Sequence, residues 1–563
     1  MKKLLFLALL AVTGVLYSCS EEFLDIKPKG QAGFDTLANK KGVDLLLIGA
    51  YSVIDGINGR TGEGWASSVS NWVWGGVASD DAIKGSNSGD QNAINAIEAF
   101  FVDAENLYLA NHWAPLYDGV VRANDVLKVI PLATDMSDSD KKLAEAQARF
   151  LRAHFYFELT IVHGKVPYID ENTENPGEVA NDHMLWPEME ADMRFAAENL
   201  PHRWTDKGRA NKWAAKTYLA RMLMFQKKFA EAKVILEDVY ANGGFRLMPS
   251  YELNYQIKNL NNVESIFEIQ YAVNDGFNNS PNGGLGDGIT GPHFMGSSGF
   301  YLPSHSLVSA HRVDAAGLPL LEDTYSVDDI LPYSTTGASV LYTGSVDPRL
   351  DHTVGRPGVP FLDWGIHKGN AWIRDPSNAG PYVNKKMAFL QSEKGVFSNT
   401  TGSRVFLSAN NYRKFKLSHV ILWLAECEAE VGSLHNATML VNLIRNRAKN
   451  SEVVRFDNGT PAANYKVEPY PSDFPTKEYA RMAIRHETRI EFAMEGIRFF
   501  DLVRWGIAGP VMNTYLNVEG TRLQYLKGKS FIVNQHEIWP IPQRQIDISM
   551  KDGKSVLTQN SGY

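Results

Sequence analysis

From residue 37 onward the apolar positions of the chain return at helical intervals. Val43, Leu46, Leu47, Ala50 and Tyr51 fall on one side of a 3.6-residue helix, and the spacing predicts a first helix within residues 37–54. A helical period resumes over 91–130, with an interruption expected at Pro115, and again over 138–163, where Ser137 or Asp138 offers an N-cap. Residues 186–200 supply a further helical stretch. Two sharper pairs stand out. Ala215, Leu219, Met222 and Gln226 line one face of 210–226, and Ala232, Ile235, Leu236 and Val239 line one face of 229–242, with a turn at Lys227 and Lys228 and with Gly243 and Gly244 closing the second helix. The other pair covers 416–431 and 436–448, with Gly432 at its turn.

Two stretches break this rhythm. Residues 56–90 gather glycine, asparagine and serine around Trp65, Trp72 and Trp74, with no amphipathic period, and read as a long loop of the kind that often carries function. Residues 245–410 are poor in helical pattern. Phe294, Phe300, Tyr301, Trp364, Trp372 and Tyr382 are spaced there by glycine and proline, and backbone so irregular is expected at the surface. The helix pairs resemble tetratricopeptide hairpins, which cannot bury an apolar face alone and must stack. The fold class that follows is mainly α, a tetratricopeptide-like helical-repeat scaffold of about four helix pairs with a large loop-rich insertion. Its expected parts are an N-terminal helical region over 37–244 that includes loop 56–90, an insertion over 245–410, and a C-terminal helical region over 411–563.

The N-terminus is of another kind. Lys2 and Lys3 precede an apolar run over 4–16, too short for the roughly 20 residues a bilayer span needs, and acidic Glu21 and Glu22 follow at once. Leu16-Tyr-Ser-Cys19 resembles the bacterial lipoprotein box, which implies a signal peptide over 1–18, lipidation of Cys19 and an extended tether over 19–36. Acyl chains bury CH₂ groups at about 0.8 kcal/mol each, so the membrane would be met through the lipid anchor only. Loss of Lys2 and Lys3 with the signal takes the formal charge from −8 to −10, which disfavours nucleic acid as a partner. There are two cysteines, and with Cys19 lipidated Cys427 has no partner. That excludes a disulfide framework and a cysteine zinc site, and Cys427, in a helical stretch, reads as a small buried apolar residue.

Residues 484–506 carry an apolar face (Ile490, Ala493, Met494, Ile497) beside Glu487, Glu491 and Glu495 at four-residue spacing. Like charges so placed repel, so cations belong beside them, and Arg485 and Arg498 are nearest in sequence. The row reads as an ion-paired helix wall. His486-Glu487 lacks the second histidine of a zincin, since Ile490 stands there, and residues 274–287 lack the EF-hand register. No metal and no cofactor are expected. Arg349, in Asp347-Pro-Arg-Leu350, reads as structural.

Taken with residues 484–506, several blocks resemble the SusD/RagB family of nutrient-binding outer-membrane lipoproteins. They are Glu22-Phe-Leu-Asp-Ile-Lys-Pro28, Gly299-Phe-Tyr-Leu-Pro-Ser304, Gly317-Leu-Pro-Leu-Leu321, Ile538-Trp-Pro-Ile-Pro-Gln-Arg-Gln-Ile-Asp547 and Gln559-Asn-Ser-Gly-Tyr563. The resemblance spans the mature chain in order. It implies stacked tetratricopeptide-like helix pairs, a glycan site in the loop-rich part, an outer-membrane location on the extracellular face, and a SusC-like TonB-dependent transporter as partner. RagB-like members carry peptide cargo, which keeps a peptide ligand open.

A glycan receptor needs aromatic faces for C–H patches and planar amides, carboxylates or guanidinium groups for hydroxyls. Twelve Trp, 23 Tyr and 27 Phe exceed what a core requires. Two stretches hold both kinds of group. Trp65 and Trp72 stand near Asp81 and Lys84, while Trp364 and Trp372 stand near Arg374. With Tyr301 these form the expected ligand set, led by Trp364, Trp372 and Tyr301. The acidic net charge favours a neutral glycan. A hydrolase is the rival reading. It would need two carboxylates about 5 to 9.5 Å apart, for which Asp80, Asp81, Asp287 and Asp363 are available.

Overall fold

The computed structural model describes residues 33–58, 64–274, 282–321, 342–399 and 406–563. The signal peptide, Cys19 and most of the tether lie outside the described residues. The scaffold begins at α1 (Lys40–Tyr51), followed by α2 (Leu107–Val129) and α3 (Asp138–His163). Next come α4 (Trp186–Asn199), α5 (Lys212–Phe225) and α6 (Phe229–Asn242). After the insertion the chain resumes with α7 (Leu417–Val431), α8 (Leu434–Lys449), α9 (Lys477–Glu491), α10 (Arg498–Arg504) and α11 (Ala508–Glu519). Polar caps start most of them. Asn39, Asn106, Ser137, Asn211, Ser433 and Thr476 each accept a backbone N–H of the first turn, satisfying groups the helix leaves open.

Each helix from α2 to α9 packs on the next, including α6 on α7 across the whole insertion. α3 is the axis of this array. From Phe150 to His163 every one of its residues is buried, so its second half shows no polar face. Two of its buried charged groups are paired across the array. Arg152 binds Asp192 of α4 at 2.7 Å, and Glu158 accepts from Lys414 and Asn71 at 2.6 Å each.

Pro115 does not interrupt α2. The helix runs through it, buried, and the break falls earlier, around Phe100, whose φ of 55° turns the chain before the Asn106 cap. Packing on α3 over the length of α2 outweighs the one lost backbone hydrogen bond.

Four strands join the insertion to the scaffold: β1 (Ala82–Gly85), β2 (Ser265–Ile269), β3 (Phe300–Pro303) and β4 (Tyr412–Lys416). β2 and β4 pair antiparallel, from Ser265↔Lys416 to Ile269↔Tyr412, and close the neck through which the chain leaves and re-enters the array. β1 pairs antiparallel with β3 and brings the 56–90 stretch against the insertion.

The stretch read as a long loop is largely buried, and parts of the insertion depart from the surface placement expected of it. Trp72–Val77 forms a single π-helical turn that is wholly buried, with Trp74 edge-on to Trp539 at 5.5 Å and its indole N–H donated to Ala66 O. Within the insertion β3, the short helix His305–Ala310 and the segment around Arg349 are buried too. Side chains of the insertion meet backbone carbonyls of the 56–90 stretch and of the end of α9. Ser304 Oγ donates to Asp80 O at 2.6 Å, and Lys386 Nζ donates to Glu491 O and Ala493 O at 3.0 and 2.8 Å. The C-terminal tail seals the far end. Trp539 N donates to Val162 O, and Asn560 Nδ2 donates to His163 O and Trp539 O.

Candidate functional site

Where α9 ends, the chain reverses through Met494 and Gly496, at φ of 61° and 69°. That turn forms one wall of a cleft between the neck, the insertion and the 64–86 segment. Its rings are Tyr255, Tyr271, Tyr301, Phe406 and Tyr412, and its polar groups include Ser70, Asp287, Asn384, Asn410, Arg413 and Glu495. Tyr271 and Phe406 are the half-buried rings, while Tyr255, Tyr301 and Tyr412 lie deeper.

The floor is rigid. Glu495 binds Lys416 through both carboxylate oxygens at 2.7 Å, Lys386 at 2.7 Å, and the Tyr255 hydroxyl at 2.8 Å. Burial would raise its pKa, but the two lysines outweigh burial and hold it well below the usual carboxylate range. The Tyr301 hydroxyl accepts the Gly496 N–H at 3.1 Å, and its ring lies on Gly76, where an added Cβ would come within 2.4 Å of it. Only glycine allows that approach.

Other polar groups keep capacity to spare. Arg413 Nη1 is bound to Asn410 and Asn411, whereas its Nε and Nη2, and Asn384 Oδ1, have no hydrogen-bond partner among the described residues. Asp287 accepts from Ser68 Oγ at 3.0 Å and from Ser70 Oγ, and burial pushes its pKa up to about 6 against those bonds. Burial likewise pushes nearby Asp55 up to about 7, with the Asp287 charge adding to the rise.

The residues singled out from sequence are placed as follows. Tyr301 lines the cleft. Trp72 is behind it, 1% exposed, 6.0 Å from the Tyr301 ring and donating its indole N–H to Gly286 O. Trp372 is 7% exposed and stacked on Phe294 at 3.6 Å. Trp364 donates to Phe389 O and meets the Phe389 ring edge-on, and Phe389 lies 5.4 Å from Phe406. These tryptophans buttress the cleft and do not line it. Trp65 packs half-buried on the core.

Asp81 is buried and paired with Arg489 at 2.8 Å, and Lys84 is buried with its Nζ on the carbonyls of Asn87 and Asp90. Arg374 reaches Asp90 and Ser86 Oγ, so it joins the two tryptophan stretches through an ion pair away from the cleft. Asp80 is held by Arg489 and Arg498, which outweigh burial and lower its pKa to about 2, and Asp363 caps the N–H groups of Gln391 and Ser392.

The glutamate row is ion-paired, but its partners are not the near neighbours in sequence. Glu487 meets Arg349 and Arg445, Glu491 meets Arg349 and Arg447, and Glu495 stands beyond the end of α9. Arg498 serves Asp80, and Arg485 lies over Trp505. Arg349, 1% exposed between Asp347 and the two glutamates, is structural. Sequence reasoning missed Tyr255, Tyr271, Phe406, Tyr412, Asn410 and Arg413. One signal was available. The run Asn410-Asn-Tyr-Arg-Lys-Phe-Lys416 puts three cations in a strand whose every residue is buried.

The family model described as SusD family matches residues 263–563, and a second, described as "Starch-binding associating with outer membrane", matches residues 22–224. The first covers more than half of the chain, and the chain belongs to the SusD family. A SusD-like protein of Bacteroides ovatus is 31% identical over 190 residues, which is 31% of this chain and 35% of that protein. SusD-like protein P25 of Formosa agariphila is 22% identical over 574 residues, 98% of each chain. Among solved structures, the fold is similar to surface glycan-binding protein A from Bacteroides thetaiotaomicron in complex with laminarihexaose, with a TM-score of 0.67 at 22% identity over 93% of this chain and 99% of that one.

Proposed function

We propose that this protein is a glycan-binding lipoprotein of the outer-membrane surface that captures an oligosaccharide in the tyrosine-lined cleft and delivers it to a SusC-like TonB-dependent transporter. The observation that carries this reading is the meeting of half-buried ring faces, Tyr271 and Phe406, with the uncommitted N–H groups of Arg413 and the amide of Asn384. A sugar ring presents C–H patches and hydroxyls, which such faces and planar polar groups match. The laminarihexaose held by the B. thetaiotaomicron relative supports a glycan as the ligand. Anchoring would come from lipid on Cys19, and no described helix is long and apolar enough to cross a membrane.

Binding without hydrolysis is supported by the state of the carboxylates. Glu495, Asp80, Asp81 and Asp363 are all engaged by cations or backbone N–H groups, and Asp55 near Asp287 accepts the Ile57 N–H at 2.9 Å and does not line the cleft, which leaves Asp287 as the one carboxylate among the described lining residues that no cation holds. A glycan array probed with the lipid-free protein, followed by assay of any bound glycan for new reducing ends, tests this. Retention of oligosaccharides with no new reducing ends is expected; binding to no glycan, or the appearance of reducing ends, would overturn the reading.

A further inference from the structure

The α4–α5 connection, the chain after α6 and strand β2 line a second, open basin that shares no lining residue with the cleft. Its charge runs against that of the chain. Arg203, Lys207, Arg209 and Arg246 line it with two acids, Asp206 and Glu268, whereas the chain as a whole carries −8.

One acid is paired and the other is buried. Asp206 is taken by Arg209 at 3.2 Å, and buried Glu268 accepts from Asn261 N and Asn411 Nδ2. Arg203, Lys207 and Arg246 form no ion pair with a described carboxylate. Arg203 makes one long contact, to Gly244 O at 3.5 Å. All three are exposed and line one concavity, so their positive potentials add there.

The wall beside them is aromatic. Trp204 donates its indole N–H to Ala210 O and carries the Arg209 guanidinium over its ring at 5.5 Å, and half-buried Phe245 adds a second ring to the lining. Gly208 and Gly244, both among the lining residues, turn the chain at φ of 84° and 69°.

We propose that this basin is a second binding site, for a sugar residue bearing a carboxylate or sulfate group, with Arg203 and Arg246 gripping the anion and the half-buried rings of Trp204 and Phe245 bordering the sugar. Guanidinium forks match the paired oxygens of such groups, and a bare inorganic anion would make no use of the aromatic wall. The site is independent of the cleft and of its neutral-glycan reading.

The test is calorimetric titration of the lipid-free protein with tetragalacturonate, a chondroitin sulfate tetrasaccharide and laminarihexaose, and sedimentation with phosphatidylglycerol vesicles, each at low and at physiological ionic strength. At least one acidic oligosaccharide is expected to bind, more weakly as salt rises, and about tenfold or more weakly in Arg203→Ala/Arg246→Ala, a surface change that leaves the melting temperature in place. Failure of both acidic oligosaccharides to bind, equal binding by the double variant, or a loss confined to vesicles would overturn the proposal. So would acidic-sugar binding that Tyr271→Ala abolishes and Arg203→Ala/Arg246→Ala spares, because it would put the ligand in the cleft.

Discussion

Lys416 at the end of β4 and Glu495 in the turn after α9 are joined by two contacts of 2.7 Å, one to each carboxylate oxygen. This pair fixes the neck of the insertion to the turn between α9 and α10, at the cleft wall. Both groups are buried, so removing the cation leaves a carboxylate only partly compensated by Lys386. Lys416→Met is expected to lower unfolding free energy by about 3–5 kcal/mol in urea denaturation. An unchanged midpoint would show that the pair does not hold the neck.

Trp372 provides the sharpest contrast between buttress and ligand contact. Its ring is stacked on Phe294 and edge-on to Phe361, with little surface left to solvent. Trp372→Ala is expected to cost about 3–5 kcal/mol of stability while the folded fraction keeps its affinity for glycan. Loss of affinity at unchanged stability would return Trp372 to the binding surface.

Gly76 is a second lever on the cleft, acting from behind. A methyl group there would meet the Tyr301 ring at 2.4 Å. Gly76→Ala is expected to cost about 1–3 kcal/mol through overpacking and to weaken glycan binding by displacing Tyr301. Thermal denaturation together with titration calorimetry would check both effects.

Asp287 makes stability depend on pH in a direction opposite to a salt-bridged carboxylate. Burial raises its pKa from 3.8 to about 6, so the folded chain holds the proton more tightly than the unfolded chain does. Its contribution is therefore most favourable below about pH 4, falls as pH rises to about 6, and is level above that. Asp287→Asn, which keeps an oxygen to accept from Ser68 and Ser70, is expected to remove that slope and to stabilise the protein at pH 8 by on the order of 1–2 kcal/mol. Denaturation midpoints at pH 5 and pH 8 for both proteins would decide it, and equal pH slopes would contradict the assignment.

The helices were legible because their periods and caps are local. Residues 229–242 are predicted and found as one helix, and Ser137 is the cap of α3. Pro115 misled because packing along α2, a non-local effect, outweighed its local cost. Tyr301 could be picked out among the aromatics of the insertion, but the fate of each tryptophan could not. Whether Trp72 or Trp372 meets water depends on what packs over it, here Phe300 and Tyr301 for one and Phe294 and Phe361 for the other. The cleft itself draws on residues from 70 to 495, joined by the β2–β4 neck and by the turn at Gly496, and no local pattern announces such a meeting.

The most direct measurement is calorimetric titration of the lipid-free protein and its Tyr271→Ala and Phe406→Ala variants with an oligosaccharide that the native protein retains. If the half-buried rings of the cleft hold the sugar, each variant binds about tenfold more weakly while its melting temperature stays near that of the native protein. Native affinity in both variants would contradict the account.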